Sequence, residues 1–326
     1  MTDIKTTWQP TTTLAMLHHR AKLLSNIREF FAERGILEVE TPLLSQATVT
    51  DPHLHSFQTH YYSSDKSDGQ TFYLQTSPEF SMKRLLAAGS GPIYQISKAF
   101  RNQGESGRYH NPEFSLLEWY RPGYDHHQLM DEVEDLLKQA LACSAAQRLS
   151  YTEVFQRYLN RDVHQISIRD LKPILASIGV SAENLGLKTL ADHLNFLMAH
   201  VIEPKLPKQL VFIYDYPVSL AALAKVSHNT QPVAERFEVY FDGIELANGF
   251  HELGDAKEQR RRFENDLSSR AQQGYPSVPI DEHLLTALAH GFPDCAGVAL
   301  GIDRLLMLMS KTNKVSDVIS FPIQRS

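Results

Sequence analysis

Leu23, Leu24, Ile27, Phe30 and Phe31 recur at helical spacing, and Gly35 follows as a stop for that helix. Residues 36–39 then read as a strand that must end by Pro42, because proline brings no N–H to a ladder. Residues 72–75 and 93–100 predict two further strands with a helix over 77–88 between them, and 125–141 predicts another helix. Residues 236–241 alternate in character, Asp242-Gly243 is a hairpin dipeptide, and a strand resumes at Ile244, so an antiparallel sheet is expected there. Between these segments, residues 151–210 show helical patterns such as Leu190, Leu194, Leu197 and Val201, ahead of a Pro-Lys stretch at 204–208. They predict a mainly helical insertion. Strands and helices therefore mix along the chain as in an α+β fold, without repeats or low-complexity tracts.

Composition adds limits. The 326 residues are 42% hydrophobic and 21% charged, enough to build a sizeable core in one large domain or two. A formal charge of −6 argues against a broad electrostatic footprint for nucleic acid, so no stable nucleic-acid binding is expected. Arg260-Arg261-Arg262 reads instead as the solvated face of a helix over 255–273, offset by Glu258, Glu264 and Asp266. No run reaches membrane-spanning length, and residues 1–19 hold no apolar core of signal-peptide length, so a cytoplasmic protein without membrane partners is expected. Cys143 and Cys295 stand far apart without a CxxC pattern and read as small buried apolar residues. His18-His19 and His126-His127 read as surface pairs.

The chemistry lies in two segments. In the first, Phe100-Arg101-Asn102 is followed by His110-Asn111-Pro112-Glu113-Phe114; the second runs from Gly297 to Arg304. Arg101 sits in a turn between apolar runs, where it can clamp an α-phosphate, and Arg304 opens a helix after a glycine-spaced strand, where it can clamp a γ-phosphate. Arginine suits both tasks because its planar fork stays charged and offers paired donors. Glycines let a nucleotide approach the backbone closely. Together the segments read as an ATP site that activates carboxylates.

These segments resemble motifs 2 and 3 of the class II aminoacyl-tRNA synthetases, and residues 23–42 look like motif 1, so the resemblance covers nearly the whole chain. Thr76-Ser77-Pro78-Glu79 with Lys83-Arg84, and the stretch from Glu245 to Glu252, look like the lysyl branch. Residues 108–122 and 234–240 are similar to its stand-alone paralogues that modify bacterial elongation factor P. The resemblance implies one class II catalytic domain over 1–326, a central antiparallel sheet flanked by helices, and a homodimer formed through motif 1. It leaves no room ahead of motif 1 for the anticodon-binding barrel of lysyl-tRNA synthetases. The implied activity is ATP- and Mg²⁺-dependent activation of (R)-β-lysine as the adenylate, followed by transfer to the ε-amine of a lysine on elongation factor P. A minimal lysyl-tRNA synthetase and a non-catalytic binding module of the same fold stay open as alternatives.

Residue by residue, the resemblance has Arg101 hold the α-phosphate and the substrate carboxylate, Asn102, Asn111 and Leu246 line the nucleotide, Phe114 stack the adenine, and Arg304 grip the γ-phosphate. Gly301 leaves room for the adenosine, and Glu245 and Glu252 ligate Mg²⁺ with hard oxygens. Ser77, Pro78, Glu79, Tyr120, Asn248, Glu252 and Ala299 form the amino-acid subsite, with Glu79, Glu252 and the Tyr120 hydroxyl for the extra amine. Lys83 and Arg84 are expected as structural ion-pair partners.

Three details depart from regularity. The loop after Arg101 is one residue longer than the family pattern, with Gln103 at a commonly acidic position, and both Gln103 and Glu105 stay open for that role. Ala299 stands where the lysyl-tRNA synthetase pattern has glycine, and its methyl is expected to disfavour α-lysine relative to a β-amino isomer. Finally, strict strand alternation would point Glu245 and Glu252, seven residues apart, to opposite faces, which a bulge near Gly249 would reconcile.

Overall fold

Thr13 caps the first helix, α1 (Leu14–Glu33), by accepting the Met16 N–H at 3.2 Å, and Gly35 ends it at φ +63°. The computed structural model describes residues 8–64, 68–103, 107–181 and 184–326. After α1 come β1 (Leu37–Glu38), β2 (Leu44–Ser45), β3 (Gln58–Tyr61), β4 (Gln70–Leu74), α2 (Glu79–Ala87), β5 (Ile93–Phe100) and β6 (Glu113–Pro122). Next are α3 (His126–Leu141), β7 (Gln147–Ser150), α4 (Tyr151–Leu159), α5 (Ile168–Ser177), α6 (Leu190–Leu197) and β8 (Leu210–Pro217). The chain closes with β9 (Val233–Phe241), β10 (Ile244–His251), α7 (Ala256–Gln272), α8 (Glu282–His290), β11 (Cys295–Gly301) and α9 (Ile302–Met309). Two compact units result, Met1–Gly123 with Gly254–Ser326, and Tyr124–Leu253.

In the first unit the strands lie in the order β1-β5-β6-β11. Register aligns Gln95, Glu118 and Ala299 across β5, β6 and β11. With a side-chain period of two, Gln95, Ser97 and Ala99 therefore share a face with Phe114, Leu116, Glu118 and Tyr120, and with Gly297, Ala299 and Gly301. Helix α2 covers one end of this face, packing Met82 and Leu86 on Ile93, Tyr120 and Cys295. The opposite face meets α1: the Phe31 ring stacks on Tyr94 at 4.3 Å and meets Trp119 edge-on at 5.3 Å. Phe31 is fully buried, so Phe31→Ala is expected to destabilise the protein by about 3 to 5 kcal/mol in a urea titration.

The second unit carries β10-β9-β8-β7. Its hairpin turn forms at Asp242 (φ 50°) and Gly243 (φ 72°), the two left-handed positions that a tight right-twisted hairpin requires. The insertion is helical as expected, and α4 to α6 bury Val154, Leu171, Leu194 and Leu197 with Val211, Ile213, Tyr216 and Tyr240. The antiparallel expectation holds for the inner strands but not throughout, since β1 joins β5 and β7 joins β8 in parallel. In the second case the helical insertion itself is the crossover that parallel pairing demands.

His126 is buried, only 5% exposed, because its Nε2 donates to Asp215 Oδ1 at 3.0 Å; it is not a surface residue. Cys295 is buried, whereas Cys143 is partly exposed. The arginine run is charge-paired as expected: Arg261 and Arg262 pair with Glu258, Arg260 pairs with Glu282 and feels Glu264, and Arg262, partly buried, acts on Asp266, whose carboxylate also accepts from the Thr50 hydroxyl at 2.7 Å. Among the described residues, no helix is long and apolar enough to cross a membrane.

Candidate active site

Strand β5 runs directly into Arg101, whose N–H donates to Pro112 O at 2.9 Å and keeps it beside the start of β6. A two-residue step from Ala99 puts Arg101 on the glycine-bearing face, and its guanidinium carbon lies 5.1 Å from the Phe114 ring centroid. The expected phosphate-clamp arginine and the expected adenine platform are thus neighbours. Asn102 bridges to His55, donating its N–H to His55 O at 2.6 Å, and its Oδ1 accepts the Gln103 N–H at 2.9 Å. Gln103 occupies a left-handed turn at φ 58°. Glu105 lies outside the described residues. Asn111 is buried and braces the loop: Nδ2 donates to Glu113 O at 2.6 Å, and Oδ1 accepts the Ile323 N–H at 3.0 Å.

Gly301 caps α9, and the helix is then locked by Asp303, which pairs with Arg20 of α1 and accepts the Ser115 N–H of β6 at 2.8 Å. Arg20 also donates to Val318 O at 3.0 Å. So anchored, Arg304 donates from Nη2 to His110 Nε2 at 2.7 Å, which brings the expected γ-phosphate clamp to the motif 2 loop.

An acidic subsite lies further along the same sheet face. Tyr120 donates to Glu118 Oε1 at 2.7 Å, and Ser77 donates to Oε2 at 2.9 Å. The Ser77 hydroxyl also accepts the Glu79 N–H at 3.0 Å, which explains why α2 starts at Glu79, after Pro78, rather than at Ser77. Lys83, 2% exposed, pairs with Glu79 at 2.5 Å, the structural role expected of it. Glu118 is also 2% exposed. Burial, and then the nearby Glu79 carboxylate, push it up to about 7, against the opposing pull of the two hydroxyls and Lys83. Sequence reading named Ser77, Pro78, Glu79 and Tyr120 but missed Glu118. Its signal was a carboxylate within an apolar strand, two residues from Tyr120. Ala299 stands directly opposite Glu118 in the β6–β11 register, so its methyl joins the same patch of surface.

In the second unit, Glu245 pairs with Tyr240 and Asn248 with Glu238, and a register shift between Glu245 and Ala247 accounts for the odd spacing. Tyr240 and Glu238 are two residues apart, so they share a face of β9, and Glu245 and Asn248 share the matching face of β10. Continuing the alternation brings Glu252, 3% exposed, to that face as well. The anticipated bulge exists, but at Leu246 rather than near Gly249, and Leu246 is its buried residue. Two carboxylates on one face suit a hard divalent cation. The opposite face carries a different set: His251 Nδ1 donates to Glu235 Oε2 at 2.5 Å, and ligand atoms of His126, Glu235 and His251 lie within 4.8 Å of one another.

The family model described as tRNA synthetases class II (D, K and N) matches residues 7–325. A relative from Edwardsiella ictaluri is 53% identical over 320 residues, 98% of either chain. Another from Pectobacterium carotovorum subsp. carotovorum is 52% identical over 329 residues, 98% of this chain and 99% of its own. A third, from Photobacterium profundum, is 52% identical over 324 residues, 97% of this chain and 98% of its own. All three bear the name elongation factor P–(R)-β-lysine ligase.

Proposed function

Because this chain belongs to the class II tRNA synthetase family (D, K and N), we propose that it is an ATP-dependent ligase joining (R)-β-lysine to the ε-amine of a lysine on elongation factor P. The observation that carries this reading is one sheet face bearing Arg101, Phe114 and the acidic subsite of Glu79, Glu118 and Tyr120. In the first step the amino-acid carboxylate attacks the α-phosphorus of ATP and pyrophosphate leaves. In the second, the protein amine attacks the acyl carbon of the adenylate, losing a proton as AMP departs. Neither step needs a nucleophile from the enzyme. Arg101 neutralises charge building on the α-phosphate, and Arg304 holds the γ-phosphate. Glu118 and Glu79, with the Tyr120 and Ser77 hydroxyls, receive the substrate's ammonium. Glu245 and Glu252 would hold Mg²⁺, which screens the phosphate charge when bound. The protein is read as a cytoplasmic homodimer, in keeping with the family resemblance.

Pyrophosphate exchange run in parallel with α-lysine and (R)-β-lysine tests the first step, and mass spectrometry of elongation factor P tests the second. Exchange favouring the β-isomer, with a lysyl-sized mass gain, is the expected result; charging of tRNA without that gain would support the synthetase alternative. Ala299→Gly is expected to move the exchange preference toward α-lysine by roughly 10-fold, the scale of one methyl in a close-packed pocket. An unchanged ratio would exclude Ala299 from the choice of isomer.

A further inference from the structure

We propose that Arg236 is a positioning residue that fixes the direction of the Asn248 amide, so that a bound amino acid meets only N–H donors at that position. The inference rests on the reading of Asn248 as a substrate-binding residue. Arg236 lies on β9 directly beside β10, and each guanidinium nitrogen has its own partner. Nε donates to Asn248 Oδ1 at 3.1 Å, Nη1 donates to Leu220 O at 2.8 Å, and Nη2 pairs with Glu238. The Tyr216 ring centroid lies 4.6 Å from the guanidinium carbon, which restrains the plane. Three differently directed hydrogen bonds and a ring leave the group one orientation.

An arginine N–H can only donate, so the Asn248 atom facing it must be the oxygen, and the amide cannot flip without placing two donors against each other. Asn248 Nδ2 is thereby directed away from Arg236. An N–H pair held this way donates to a carboxylate or phosphate oxygen and disfavours an ammonium. With Glu238 balancing its charge and every nitrogen engaged, Arg236 acts through Asn248 rather than on substrate. A lysine there would keep the pairing with Glu238 but lose the planar fork that also reaches Asn248.

The test is a double-mutant cycle of Arg236→Lys and Asn248→Ala, read as KM for (R)-β-lysine and KM for ATP in pyrophosphate exchange. Arg236→Lys is expected to raise the amino-acid KM about 10-fold, the value of one buried hydrogen bond, leave the ATP KM within about twofold, and add nothing further in the Asn248→Ala background. Equal losses in both backgrounds, or an ATP KM that moves in step, would overturn the proposal. Should Arg236→Lys fail to fold, Asn248→Asp replaces the donor pair with acceptors, and an amino-acid KM equal to wild type would overturn it. A second readout does not depend on the ligase reading: the Arg236 Hε signal in a ¹⁵N spectrum should exchange slowly in wild type and fast in Asn248→Ala. Wild type without exchange for any amino acid would sink the ligase reading alone, and an unchanged Hε signal would still sink this one.

Discussion

Replacing Glu118 by glutamine is expected to make the protein more stable and a poorer enzyme at once. Glu118 is buried with its carboxyl raised to about 7, against an ordinary value of 4.5. The folded state therefore binds its proton more tightly than the unfolded chain. Between pH 4.5 and 7 the folded form holds more protons, so stability falls as pH rises through that window, and the full penalty of about 3 kcal/mol applies above it. Glutamine carries no such penalty. Melting curves of Glu118→Gln and wild type should coincide near pH 4 and separate progressively, with the variant higher, by pH 8. The same change removes an anion from the proposed ammonium subsite, so the KM for (R)-β-lysine should rise about 10- to 100-fold, the range for a charge-assisted hydrogen bond. In wild type, protons compete with the ammonium, so KM should climb about tenfold per unit as pH falls below 7. A variant that binds β-lysine normally would remove Glu118 from the subsite, and a stability difference that ignores pH would overturn the raised carboxyl.

The second large effect concerns Arg101. Arg101→Ala is expected to lower kcat for pyrophosphate exchange about 10³-fold, in line with loss of one preorganised cation from a transition state. Because Arg101 also approaches the Phe114 ring within the fold, at 5.1 Å from the centroid, a melting curve run beside the kinetics separates lost packing from lost charge stabilisation. Arg101→Lys should recover little of the rate, because a point charge cannot reproduce the paired donors of the fork. A variant within tenfold of wild-type kcat would place the α-phosphate clamp elsewhere.

How much of this was legible depended on the range of the interaction. The β5 boundaries follow directly from the apolar stretch 93–100, and α3 and α7 start where Asp125 and Asp255 accept the first-turn N–H groups. Such local signals need no knowledge of neighbours. The bulge needed them. Gly249 is the more permissive residue, but the register between β9 and β10 puts the extra residue at Leu246, where two successive apolar side chains are both buried. Glu118 stayed hidden for the same reason: it acquires chemical meaning only when Ser77 and Glu79, some forty positions earlier, are folded against it. His126 resembled one of two surface histidines until Asp215, at a left-handed bulge of β8, was there to accept its hydrogen bond. The arginines, by contrast, were legible as a pattern because motif spacing carries them, though not the brace that Arg20 and Asp303 supply to Arg304.

The parallel junction of β7 with β8 also sets the timing of folding. Gln147 pairs with Val211, 64 positions later (211 − 147), so this ladder cannot begin until the entire helical crossover exists. On a ribosome the first strand must wait, unpaired, while α4 to α6 emerge. Its partner's other neighbour, β9, follows close behind in sequence, and the β8-β9-β10 meander can form by shorter loop closures. By that reasoning β7 is expected to dock last onto an existing edge, which a pulse-labelled hydrogen-exchange experiment would show as late protection of residues 147–150.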